Sequence, residues 1–368
     1  MPRTAHIALL AFISASLVAG QQPSPSQPSP QQPSLQPTTA AEAPNRDTSY
    51  IEPNGTVHVT RVVPVPQDLS PEAQKFISRV VPDEAPPEPL ANRRARMDAT
   101  QALAKVEWSK ICPNTSVDTE LGGVPVHIVT PDNMPAANGD KVLINLHGGS
   151  FNADSGSYSE SIPIAGFTGI KVVAVLYRLA PEHPFPAAVD DAVAVYRELL
   201  KTYKPDHMVI YGTSAGAALT AEVAVKLKQL GLPMPAALGI FSTVDNFAYM
   251  SDSWSIYTLN GFAGHLDPPT AGGHDPYYIG STDPKDPVLS PIYADLTGLP
   301  PALFITSERD ALLSSTANLH RAYLRAGVDA RLVVFDGLPH AFWYRWELPE
   351  SIEASKIMAK FFLDHLAK

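Results

Sequence analysis

The chain has 368 residues, 45% of them hydrophobic and 17% charged, which is enough apolar material for a large core and excludes a wholly disordered protein. Acidic side chains outnumber basic ones by 37 to 27, and the net charge of −10 argues against a nucleic-acid binder, which needs a basic surface to displace counterions from phosphates. A single cysteine, Cys112, leaves no intrachain disulfide and no thiolate metal cluster.

In chain order, residues 1–20 read as an export signal. Arg3 makes the start positive, an apolar run covers 7–18, and the small residues Ala19 and Gly20 follow. That run is too short for a membrane span, which needs about 20 apolar residues. The mature protein is expected to be exported, to a periplasm or beyond the cell, without stable membrane insertion. Residues 21–48 are rich in Pro, Ser and Gln and predict an extended, solvated tether. In the N-terminal segment 49–110, a short strand is predicted within 56–65. One helix is predicted to start at Ser70, with Pro71 at its first position, and another to run over 91–110.

From 111 to 368 strands alternate with helices. Strands are predicted at 115–121, 124–130, 141–146, 171–176, 207–211, 236–241, 302–306 and 330–335, and helices at 187–202, 214–230, 314–326 and 351–366. Several inner strands are continuous apolar runs (VLINL, VVAVLY, MVIY), the pattern of strands covered on both faces. The fold class is therefore α/β, a mostly parallel eight-stranded sheet with helices on both sides. The stretch 245–296 breaks the alternation with Pro, Gly and aromatic residues, as lids and binding loops do.

The sharpest chemical signal is Gly212-Thr213-Ser214-Ala215-Gly216, between a predicted strand and a predicted helix. In such an elbow, glycines permit a tight turn that lifts the serine hydroxyl above the sheet, at a helix N-terminus that favours negative charge. The plainer alternative is a tight turn with Ser214 as a helix cap. A nucleophilic serine needs a base and an orienting acid, in the order serine, acid, histidine. His320 and His365 fall in helical runs, whereas His340 follows the last strand in FDGLPHAFW. Asp310 follows the strand ALFIT, with Glu308 as its rival. His147-Gly148-Gly149-Ser150-Phe151, after VLINL, supplies glycine-rich backbone whose N–H groups can converge on an oxyanion, and the Ala215 N–H is a further donor.

Around these, His147 reads as a loop-bracing residue, and Tyr177, Arg178 and Glu182 as a set that pairs behind the oxyanion loop. Phe151, Trp254 and Trp343 are the candidates for lining a substrate pocket, with core packing an equal alternative. There is no HExxH, no GxxxxGK[ST] and no GxGxxG after the first strand, so no metal and no cofactor is expected.

Together HGGSF at 147–151, YRLAPEHPFPAAVDD at 177–191, GTSAG at 212–216, SERDAL at 307–312 and HAFW at 340–343 resemble the hormone-sensitive-lipase-like branch of α/β-hydrolase serine esterases, in its GTSAG subgroup. The resemblance implies an α/β-hydrolase fold and a triad of Ser214, Asp310 and His340. It also implies an oxyanion hole near Gly148, Gly149, Ser150 and Ala215, and a helical cap built from the N-terminal helices and the 245–296 insertion. Two positions depart from the pattern. Ser150 stands where a third glycine is common, which predicts a pocket narrowed against bulky ester-carbon substituents. Ala217 replaces a glycine after GTSAG, with little expected effect. The expected activity is hydrolysis of short- to medium-chain carboxylic esters through an acyl-enzyme, with a small-molecule ester as partner. A lactonase or acetyl-ester deacetylase on the same triad is the alternative, and a non-catalytic binding protein the remoter one. The sequence leaves the oligomeric state open, a dimer included.

Overall fold

The structure is a computed structural model, and it describes residues 48–60, 62–78, 88–257 and 276–367. The expected export signal, all but the last residue of the tether and the middle of the 245–296 insertion lie outside the described residues. The chain divides into two units, Met1–Val63 and Pro64–Lys368.

In the first unit, β1 (Tyr50–Ile51) pairs antiparallel with β2 (Val57–His58). The turn between them uses Gly55 at φ 89°, and Asn54 Oδ1 accepts the Thr56 N–H at 2.8 Å. The strand predicted over 56–65 is thus reduced to two residues.

The second unit is built on an eight-stranded sheet. Its strands are β3 (Asn114–Leu121), β4 (Val124–Pro131), β5 (Val142–Leu146), β6 (Lys171–Val175), β7 (Met208–Thr213), β8 (Ala237–Phe241), β9 (Ala302–Arg309) and β10 (Ala330–Pro339). Their order across the sheet is β10-β9-β8-β7-β5-β6-β4-β3, and only β4 runs antiparallel to its neighbours β3 and β6. Alternate residues of the central strands feed opposite cores, as a pleat with period two requires. Val142, Ile144, Leu146, Met208 and Ile210 enter one core with α4 (Ala187–Leu199), α5 (Ala215–Gln229) and α8 (Leu313–Arg325). Leu143, Val209 and Tyr211 enter the other with α1 (Pro71–Ile77), α2 (Leu90–Ile111), α3 (Ser157–Thr168) and α9 (Pro349–His365).

Helix α3 has no counterpart among the predicted elements. Its serines and the internal Pro163 are poor helix formers, and it shows no polar face because nearly every residue from Ser157 to Ala165 is buried. Burial between α2, the sheet and α9 overrides the local propensity. At the far edge, β10 outruns its predicted end. Its register on β9 shifts between Phe335 and Pro339, which carries the chain to His340.

Candidate active site

Four adjacent strands each deliver one polar residue immediately beyond their carboxyl ends: Ser214 after β7, Ser242 after β8, Asp310 after β9 and His340 after β10. This is the edge where open parallel sheets place their sites. Ser214 joins β7 to α5 with φ 60° and ψ −122°, the strained backbone of a nucleophile elbow. Its N–H donates to the Phe241 carbonyl at 2.9 Å, while its hydroxyl makes no capping bond to α5. The turn therefore does not use Ser214 as a cap. A β-carbon on Gly212 or Gly216 would overlap the Leu146 carbonyl oxygen, so both glycines are demanded by the close approach of β5.

Asp310 is fully buried and the His340 side chain is 6% exposed. His340 Nδ1 lies 3.0 and 3.1 Å from the two Asp310 carboxylate oxygens. Ser242, held at φ 54° by its N–H bond to the Ile305 carbonyl (2.7 Å), inserts its hydroxyl between them. It bonds Asp310 Oδ2 and lies 2.8 Å from His340 Nδ1. With the carboxylate accepting from both, Nδ1 carries the proton and Nε2 is left as the base. Burial alone would raise the Asp310 carboxyl. The electrostatic pull and hydrogen bond of the His340 imidazole, the Ser242 hydroxyl and the Leu312 N–H (2.8 Å) more than offset it and hold Asp310 below the ordinary value.

The rival acid Glu308 is exposed and shares a hydrogen bond with Asp336, which raises it. His320 meets the Ala330 carbonyl (3.2 Å), and His365 meets that of Phe361 (2.8 Å), each on its own helix.

The loop after β5 carries three consecutive left-handed residues: Gly149 (φ 121°), Ser150 (φ 56°) and Phe151 (φ 58°). The Asn152 and Ala153 N–H groups close it on the Gly149 carbonyl, and the Ser155 N–H closes it on that of Gly148. A curl of left-handed residues is the kind of backbone that can present N–H groups to an anion. His147 braces the loop. Its ring stacks on Tyr177 (4.2 Å between centroids), whose hydroxyl donates to the His147 carbonyl at 2.6 Å.

The expected mutual pairing of Tyr177, Arg178 and Glu182 is not formed. Arg178 pairs with Asp191 (2.8 Å), and Glu182 with Arg94 of α2 (2.7 Å). Arg94 also donates to the Asn152 and Ala180 carbonyls (2.8 and 2.9 Å), tying α2 to the oxyanion loop. An arginine 58 residues upstream of the loop it holds carries no local sequence signal.

Two of the three pocket candidates are packed away. Phe151 is 4% exposed and stacks at 3.4 Å on Tyr278 of α7 (Pro276–Ile279). The Tyr278 hydroxyl is bonded in turn to Glu222 at 2.5 Å. Trp343 is 3% exposed and donates its indole N–H to Thr213 Oγ1 at 3.0 Å, beneath the elbow. Their packing gives both a structural task. Trp254 lies on α6 (Asp252–Tyr257), half-buried. Among the described residues no cluster of His, Cys, Asp and Glu is arranged to hold a metal ion.

Comparison with known proteins agrees with this fold. Residues 143–344 match the alpha/beta hydrolase fold family. An acetyl-hydrolase of Streptomyces hygroscopicus is 35% identical over 254 residues, covering 66% of this chain and 83% of that protein. An esterase of Acinetobacter venetianus is 30% identical over 230 residues, 61% of this chain and 75% of that one. Among solved structures, esterase E25 superposes with a TM-score of 0.74 at 30% identity, over 85% of this chain and 100% of its own. A hormone-sensitive lipase from a metagenome library gives 0.67 at 32% identity, over 77% and 94%. The elbow, the buried acid–histidine pair and these likenesses lead to one conclusion: the chain belongs to the α/β-hydrolase family, in its hormone-sensitive-lipase-like esterase branch.

Proposed function

We propose that the protein hydrolyses short-chain carboxylic esters, acetyl esters foremost, through an acyl-enzyme on Ser214. The observation that carries this reading is the polar row beyond β7, β8, β9 and β10, in which a buried Asp310–His340 pair follows a strained serine elbow. His340 Nε2 takes the Ser214 proton as Oγ attacks the ester carbonyl, and Asp310 stabilises the imidazolium that forms. The N–H groups of Gly149, Ser150 and Ala215 receive the oxyanion. His340 then protonates the departing alcohol, and a water repeats the sequence to release the acid. The preference for acetyl esters is supported by the acetyl-hydrolase of Streptomyces hygroscopicus, the relative described above. Export is part of the proposal and rests on the N-terminal 20 residues alone.

The test is a ladder of p-nitrophenyl esters from acetate to palmitate, with a burst of p-nitrophenol and an optimum at the short end expected. Ser214→Ala is expected to cut turnover by about 10⁴- to 10⁶-fold with folding intact. A long-chain optimum would move the substrate class to lipids, and a Ser214→Ala variant as active as the parent would end the proposal.

A further inference from the structure

A second fully buried carboxylate lies behind the proposed site and takes no part in the mechanism above. Glu160, in the first turn of α3, reaches the far side of the oxyanion loop. Its Oε1 accepts the Tyr344 hydroxyl at 2.6 Å, and its Oε2 accepts the Asn145 amide at 2.9 Å. The Gly148 backbone and the Thr213 side chain lie close enough to act on the same carboxyl. These neighbours come from the end of β5, the oxyanion loop, the elbow and the turn after His340. One carboxyl group, bonded to Asn145 and Tyr344, thus adjoins all three loops that hold reacting groups in the proposed function.

The surroundings are shaped to admit it. A β-carbon on Gly156 would overlap Glu160 Oε1, and one on Gly148 would come within 2.9 Å of the Tyr344 hydroxyl. Thr213 Oγ1 accepts the Trp343 indole N–H at 3.0 Å and lies beside both Glu160 and Tyr344, acting on each. A threonine in the second position of the elbow therefore has a local reason. It sets a neutral hydroxyl beside Glu160, where an aspartate would set a second carboxylate against it.

We propose that Glu160 is the positioning residue that locks the oxyanion loop, the nucleophile elbow and the His340 loop into one register, with the Thr213 hydroxyl as its matched partner in the elbow. Glu160 touches no reacting atom, so its influence falls on how well Ser214, His340 and the oxyanion donors are aligned. This inference rests on the proposed esterase function.

The test compares the parent, Glu160→Gln, Tyr344→Phe, Thr213→Asp and the Glu160→Gln/Thr213→Asp double variant on p-nitrophenyl acetate, with fluorophosphonate labelling of Ser214 followed in parallel. Glu160→Gln is expected to lower kcat by about 10- to 100-fold with KM little changed, because misalignment weakens the transition state rather than ester binding. Labelling should slow to a similar degree. Tyr344→Phe, which deletes one donor and keeps the carboxylate, should show a smaller loss of the same kind and serves if Glu160→Gln does not fold. Thr213→Asp should be severe alone and partly rescued when Glu160 is Gln. A Glu160→Gln variant with parental kcat, a loss confined to KM, or Thr213→Asp equally severe in both backgrounds overturns the inference while the esterase reading stands. A parent that neither labels at Ser214 nor turns over ester overturns both.

Discussion

Two buried carboxyl groups, Asp310 just beyond β9 and Glu160 in the first turn of α3, meet opposite fates. Burial raises both. Asp310 faces the His340 imidazole, two hydrogen-bond donors beside it, and ends below its ordinary value. Glu160 faces only neutral donors (Tyr344, Asn145, Gly148 and Thr213) and is pushed up to about 8. Neutral donors weaken the desolvation penalty without cancelling it, whereas an ionisable partner reverses its sign. In the proposed mechanism the difference divides the labour: Asp310 stays charged to orient an imidazolium, and Glu160 serves as a buried hydrogen-bond hub.

The sharpest way to break this comparison is to remove the charge from the front carboxylate. Asp310→Asn is expected to cost about 10⁴ in kcat, since His340 would be held in the wrong tautomer. Glu308→Gln should be mild, because Glu308 pairs with Asp336 at the surface. The reverse ranking would transfer the acid role to Glu308. Next in size is Ser242→Ala, which strips one donor from Asp310 and one contact from His340 Nδ1. A hydrogen bond to a charged group is worth about 1.5–3 kcal/mol, so a loss of about 10- to 100-fold in kcat is expected, with the basic limb of the pH–rate profile unmoved. Parental kcat would leave Ser242 as packing only.

The two carboxylates also differ in their effect on stability, with opposite signs. Asp310, depressed in the fold, contributes stability above its ordinary value of 3.8 that is lost as pH falls through its native value. Glu160, raised from 4.5 to about 8, gives its full contribution below pH 4.5 and loses it as pH rises toward 8. Urea titrations from pH 5 to 8 should therefore show the parent losing stability as pH rises, and Glu160→Gln with a flatter profile. Equal slopes would mean that Glu160 is already ionised at pH 5. The smallest effect is expected at Ser150, a non-glycine residue at φ 56°. Ser150→Gly should gain about 1 kcal/mol by relieving that backbone, and should widen acceptance of tertiary-alcohol esters relative to acetates. Unchanged stability and preference would remove the claim that this side chain narrows the pocket.

Much of the front of the site is legible in the sequence because its signals are local. Strand, glycine, serine and helix are contiguous from Met208 to Gln229, and Asp310 and His340 each follow directly on a strand. The rest is nonlocal. Ser242 reaches its partners 68 and 98 residues away, and nothing in FSTVD marks it. Glu160 sits in a helix whose Ser- and Pro-containing stretch shows no amphipathic period, so neither the helix nor its buried acid is visible before the tertiary packing is known. Two of the three pocket candidates are buried for a related reason. Phe151 and Trp343 flank catalytic motifs, yet packing against Tyr278 and Thr213 decides which way they face.

The central claim, that Ser214 is a nucleophile served by His340 and Asp310, is tested most directly by mass-spectrometric mapping of a fluorophosphonate adduct on the folded parent and on His340→Ala. The account predicts rapid, stoichiometric labelling on Ser214 in the parent and a rate lower by about 10³-fold or more in His340→Ala. An adduct on another residue, or labelling of Ser214 that is indifferent to His340, would contradict it.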